Sequence, residues 1–263
     1  MSLPPVFRPR VIPVLLLNRG GLYKTTCFGK PKYVGDPRNA VRIFNEKGAD
    51  ELVLLDIAAT REGREPDYDV LAEIASEAFM PIAYGGGVHS VEQAARILSI
   101  GFEKIVLGTK AAENPDFVAS VSAYCGAQSV VVCIDVKQDL LKRYRVVTES
   151  GRGKTKWNPV DLARRIADAG VGEIIVQSVD RDGRMCGYDL GLIRKIAEAV
   201  PVPVVALGGG ATEDDLVSAV TQGAAAAAAA GSMFVFQGPH RAVLITYPNE
   251  ARLDSLFSWN KPA

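Results

Sequence analysis

Eight short apolar runs, each followed by a polar turn and a helical pattern, constrain this chain more than any other feature. They fall at residues 11–17, 51–57, 81–84, 104–107, 129–135, 173–179 and 202–207, with the last in the stretch ending near Ala230. Between them, residues 91–99, 160–169 and 190–199 place apolar side chains at i, i+3 and i+4, the stripe of a helix packed on a sheet. The runs are mostly apolar on both faces, as parallel strands are when helices cover one side and packed side chains fill the other. An open doubly wound sheet would need a switch point and a GxGxxG fingerprint, which this sequence lacks. A closed α/β barrel, a (β/α)8 or TIM barrel, is therefore expected, and 263 residues is an ordinary length for one.

An internal repeat divides that barrel into two halves. Pro81-Ile82-Ala83-Tyr84-Gly85-Gly86-Gly87 is echoed by Pro203-Val204-Val205-Ala206-Leu207-Gly208-Gly209-Gly210, each followed by an amphipathic helix and a glycine, Gly101 or Gly223. Asp56 with Arg61, Glu62, Gly63 and Arg64 is likewise echoed by Asp180, Arg181, Asp182, Gly183 and Arg184. One domain over residues 1–263 is expected, with a short C-terminal extension from about residue 236. The polar stretch 138–157 reads as a loop with a short hairpin around Tyr144–Thr148. Residues 224–230 are ambiguous, because alanine favours a helix where the repeat demands a strand.

Charge and cysteine usage narrow the function classes. Thirty basic and thirty acidic residues leave no bulk field to attract nucleic acid or an anionic membrane surface. No apolar run approaches the ~20 residues that span a bilayer. Cys27, Cys125, Cys133 and Cys186 are widely spaced, with no CxxC and no secretory leader, and read as reduced thiols packed in a cytoplasmic protein. With only His89 and His240, no histidine-based metal site is expected, and no cofactor is called for.

Two constellations can carry chemistry. Glycine triplets at the carboxyl ends of strands leave backbone N–H groups open to a phosphate oxygen. A lone triplet could equally serve a tight turn; its recurrence favours phosphate sites at Gly85, Gly86 and Gly87 with Gly108 and Thr109, and at Gly208 and Gly209 with Gly231 and Ser232. The second set falls in the loops after strands seven and eight, where barrels commonly hold phosphate. Gly183 joins the phosphate-binding candidates. Asp56, Asp135, Asp180 and Asp182 fall where strands meet the carboxyl-terminal face. Any one could be a capping carboxylate, whereas two opposed ones would support general acid–base catalysis.

Long motifs in order, from Arg10 through Gly35-Asp36-Pro37, Leu55-Asp56-Ile57, Tyr84-Gly85-Gly86-Gly87, Ile134-Asp135-Val136-Lys137 and Val179-Asp180-Arg181-Asp182-Gly183, resemble the HisF family, the cyclase subunit of imidazole glycerol phosphate synthase. The resemblance implies a (β/α)8 barrel that receives ammonia from a HisH-like glutaminase and binds a ligand with two phosphates. Asp135 matches the family's second catalytic aspartate, with Asp182 as a further candidate at the mouth. The position of the first is Leu16, and the adjoining lysine and acid of that pattern are Asn18 and Arg19. Leucine transfers no proton, so cyclase turnover is expected to fall about 100-fold or more. Arg10, Glu51, Lys104 and Glu173 match the family's charged ring at the end of the barrel that admits ammonia.

A retained base and a rewritten mouth are similar to the AglZ/WbuZ-type branch, associated with acetamidino modification of surface-polysaccharide sugars. That resemblance includes Val14-Leu15-Leu16-Leu17, Lys32-Tyr33-Val34-Gly35-Asp36-Pro37 and the tail from Gly238 to Ile245. It implies delivery of ammonia to an amidotransferase acting on a sugar. The alternatives are an ordinary cyclase of histidine biosynthesis and a non-catalytic phosphate-binding scaffold.

Overall fold

In the computed structural model, which describes residues 8–258, eight parallel strands close on themselves in chain order. They are β1 (Arg10–Asn18), β2 (Leu52–Asp56), β3 (Ile82–Gly85), β4 (Lys104–Leu107), β5 (Val130–Gln138), β6 (Glu173–Ser178), β7 (Val204–Leu207) and β8 (Ala227–Ala230). Pairing of β5 with β6 completes the ring, so the (β/α)8 barrel is the fold. The outermost residues of the expected 1–263 span lie outside the described residues.

Alternation along each strand sorts side chains into two cores. Ile12, Val14, Val53, Ala83, Val106, Val131, Ile175, Val205, Ala227 and Ala229 fill the barrel interior. Their neighbours, such as Val11, Leu15, Leu54, Ile105 and Val132, face the surrounding helices. Among the described residues, eight helices of seven or more residues cover the barrel: α1 (Pro37–Glu46), α2 (Tyr68–Ala75), α3 (Val91–Ile100), α4 (Asp116–Cys125), α5 (Pro159–Asp168), α6 (Leu190–Ala197), α7 (Glu213–Thr221) and α8 (Glu250–Leu256). No helix among the described residues is long and apolar enough to cross a membrane.

The half-barrel repeat extends to the helix starts. The same interval separates Asp36 from Asn158, Asp67 from Asp189 and Ser90 from Thr212, and all six side chains accept a first-turn backbone N–H. Pro37 and Pro159 fix the entry to α1 and α5, and capping boxes start α3 and α7. In the glycine loops the structural counterparts are Gly86 with Gly208 and Gly87 with Gly209, all at positive φ. Gly85 is the last residue of β3 and matches Leu207.

Of residues 224–230, Ala227–Ala230 form the strand β8, each alanine of which is buried, and the three before it lead into the strand. Pairing with Arg10–Pro13 on one side and with Val205 and Ala206 on the other outweighs the helical preference of alanine. The stretch 138–157 is more ordered than a loop. Tyr144–Thr148 pairs antiparallel with the end of β5, and Gly153–Lys154 adds a third short strand. Beyond β8, Phe236–Gln237 pairs with Ala242–Val243, and Tyr247, Leu253 and Phe257 are buried in the outer core. The four cysteines are free thiols as expected, but their packing differs: Cys186 is exposed and the other three are half-buried.

Candidate active site

The carboxyl ends of the strands surround a cavity of about 760 Å³. Leu16, Leu55, Cys133, Asp135, Gln177 and Leu207 line its floor, with Val14 and Val106 deeper in the barrel. Register places Leu16 beside Leu55 on β1 and β2, and Asp135 beside Gln177 on β5 and β6. Leu16 and Asp135 are therefore counterparts in the two half-barrels, one apolar and one acidic.

Burial pushes the Asp135 carboxyl up to about 7; the Asp182 charge adds to the effect, and a hydrogen bond from the Cys133 thiol to Oδ1 at 3.6 Å opposes it. A carboxyl group with this affinity both gives and takes a proton near neutral pH. The Cys133 thiol is itself pushed well above its ordinary range, by burial first and by Asp135 second, so it is no nucleophile. Asp182 stands behind the floor, where it accepts from Gln177 Nε2 at 3.2 Å and from the Thr25 hydroxyl at 3.0 Å. Burial raises its affinity for a proton, against opposing contacts from Thr25 and Lys24.

The other two acids are committed to local structure. Asp56 Oδ1 accepts from Ala58 N and Ala59 N at 2.9 and 3.0 Å, and Asp180 Oδ2 accepts from Gln138 N at 2.7 Å. They hold the turn after β2 and the end of β5.

Of the two glycine sets, the first lines the large cavity: Gly85, Gly86, Gly87, Gly108 and Thr109 face it, rimmed by Lys30, Arg61, Lys110 and Arg152. The Thr109 hydroxyl accepts from Glu149 N at 3.0 Å, which ties the hairpin after β5 to this rim. Gly183, Gly208, Gly209, Gly231 and Ser232 do not line it. Side chains at Gly183, Gly208 or Gly209 would strike the backbone of Thr25, Ser178 or Gly187, as side chains at Gly86 and Gly87 would strike that of Asp56 and Arg64, so backbone packs closely at both glycine sets. Gly231 adjoins the Lys24 ammonium, and a smaller cavity of about 150 Å³ nearby gathers Lys24, Lys30, Lys32 and Arg241.

Lys24, Gln177 and Arg152 were not singled out in the sequence. Lys24 is buried, donates to Val14 O at 2.6 Å, and has its affinity for a proton lowered to about 8 by burial against the pull of Asp182. Nothing in its neighbourhood in the sequence signals that placement. Gln177 had a signal: it is in phase with Glu173 and Ile175 and so faces inward at the top of β6.

At the opposite end, Arg10, Glu51, Lys104 and Glu173 come together across the barrel. Arg10 bonds both glutamates, and Lys104 bonds Glu51 Oε1 and Oε2 at 2.9 Å and Glu173 Oε2 at 3.2 Å. The charges alternate in a closed ring, and both glutamates are buried. Arg10 and Leu16 share the inward face of β1.

Fold and site together define a (β/α)8-barrel protein with a buried carboxyl group at its mouth and a charged ring at its base. The chain belongs to the HisF family: the family described as "Histidine biosynthesis protein" matches residues 10–239. A Leptospira interrogans protein provisionally named imidazole glycerol phosphate synthase subunit HisF is 49% identical over 96% of this chain and 100% of its own length. A Pseudomonas aeruginosa relative, provisionally named subunit hisF2, is 48% identical over 94% of this chain and 98% of its own. The imidazole glycerol phosphate synthase subunit HisF of Alkaliphilus metalliredigens is 40% identical over 86% of this chain and 89% of its own.

Proposed function

We propose that this chain is the barrel subunit of a glutamine amidotransferase system, docking a HisH-like glutaminase at its amino-terminal face and passing ammonia up the barrel for acetamidino modification of a surface-polysaccharide sugar. The observation that carries this reading is the contrast along β1: Arg10 completes the ring at the base, while Leu16, the half-barrel counterpart of Asp135, carries no titratable group. Cyclisation by paired carboxyls loses one of its two groups; admission of ammonia loses nothing. Exposed Phe79 and Tyr124, in segments that end at the amino-terminal side of the barrel, offer apolar contacts for the glutaminase. The cation-rimmed Gly85–Gly87 loop and the lysine-rich cavity beside Gly231 support a phosphorylated ligand.

Co-purification with a HisH-like glutaminase tests the reading. A complex with stimulated glutaminase activity is expected, and no complex and no stimulation would remove the conduit role. The cyclase of histidine biosynthesis is the second reading, favoured by the near-neutral Asp135 carboxyl and by the names of the relatives. Complementation of a cyclase-deficient strain separates the two: growth on the wild-type chain would favour the cyclase, and growth only with Leu16→Asp would favour the conduit.

A further inference from the structure

We propose that Gln177, flanked by Asp135 and Asp182, forms a station that holds nitrogen as ammonium where the barrel interior opens into the cavity. The inference rests on the conduit reading and deepens it by naming the atom that receives the cargo.

Gln177 is 4% exposed, yet its carboxamide is only half satisfied. Nε2 donates to Asp182 Oδ1 at 3.2 Å. A carboxylate accepts and does not donate, so this bond fixes the orientation of the amide and leaves Oε1 as the free end. Oε1 is buried without a hydrogen-bond partner. Leaving such an acceptor bare is costly, and buried amide oxygens are almost always paired. Gln177 lines the cavity, with Asp135 next to it in register. The remaining floor is Leu16, Leu55 and Leu207, which cannot donate, and Cys133, whose thiol is directed to Asp135 Oδ1.

The cluster therefore asks for a small donor with several N–H bonds and room for a positive charge. Ammonia reaching protonated Asp135 takes the carboxyl proton: the O–H bond breaks, an N–H bond forms, and ammonium faces a carboxylate. A second N–H then points to Gln177 Oε1, with the Asp182 charge behind the amide. Cys133, Asp182 and Lys24 are the other titratable groups near this cluster, and the Lys24 charge is attracted to Asp182. Leu16 matters here too, because an acid at that position would compete for the same proton.

Full-length protein carrying ¹³C and ¹⁵N labels is titrated with ammonium chloride against potassium chloride at constant ionic strength. Potassium is an ion of nearly the same size that brings charge but no N–H. The Asp135 carboxyl and Gln177 amide signals are expected to shift to saturation with ammonium only. Gln177→Leu should weaken binding by ~5-fold, the loss of one hydrogen bond, and Gln177→Glu should tighten it. Equal shifts with potassium, or a Gln177→Leu variant that binds like the wild type, would overturn the station; should that variant not fold, a Gln177→Glu protein with no tighter binding would do so. Glutaminase co-purification is independent of this titration, so loss of the partner with ammonium binding intact would strike the conduit alone.

Discussion

Asp135 is governed by burial more than by any partner, and its pH dependence follows with a definite sign. Its native affinity for a proton, about 7, lies above the unfolded value of 3.8, so the folded protein binds the proton more tightly. The group costs nothing in stability below pH 4, and its cost grows as pH rises from 4 to 7. The full shift corresponds to ~4 kcal/mol, reduced to ~1–3 kcal/mol by solvent that reaches the cavity. Asp135→Asn should therefore stabilise the protein by that amount at pH 8 and by almost nothing at pH 4, as read by urea denaturation at the two values. At this scale the sequence is legible where chemistry repeats and illegible where it converges. Asp135 stands in a long recognisable motif, whereas Lys24 and Asp182 meet only because the antiparallel strands Gly21–Lys24 and Lys32–Gly35, which follow β1, are joined by a segment that folds over the loop after β6.

Between strands and helices, glycines at positive φ differ in what surrounds them, and substitution separates the two costs. Gly20 has φ +78 and nothing within 4 Å of a built Cβ, whereas Gly86 has φ +122 and its Cβ would lie 2.5 Å from Asp56 O. Gly20→Ala should cost ~1–2 kcal/mol from backbone strain alone. Gly86→Ala should cost ~2–3 kcal/mol more, because backbone atoms must move, and thermal melts of the two variants check the difference. The element boundaries read from sequence hold within a few residues because parallel strands buried on both faces form continuous apolar runs. Two segments escape that logic. Local propensity says nothing for β8, where pairing of alanines with two neighbours decides the conformation. The hairpin after β5 is largely polar, so only the half around Tyr144–Thr148 carries an apolar alternation to read.

For the whole molecule, the ring at the base ties β1, β2, β4 and β6 across the barrel. Removing one member leaves buried glutamate charge with half its partners. Lys104→Met should destabilise the fold by ~2–4 kcal/mol, less than the ~3–5 kcal/mol of a fully orphaned buried charge because Arg10 remains. Denaturation midpoints at low and high salt should report nearly the same loss, since buried pairs are screened far less than exposed ones. The four charges were legible in the sequence as matches to a family pattern, but not their closure into alternating contacts, which depends on the stagger of strands that are far apart in the chain.

Two cations and two anions in alternation sum to zero and almost cancel as a dipole, so their field dies away within a few ångströms. A polar but uncharged visitor exchanges hydrogen bonds with the ring at little loss. A charged one must choose a side and displace a partner already in place. For a small molecule offered at the base of this barrel, the expected discrimination is therefore by protonation state.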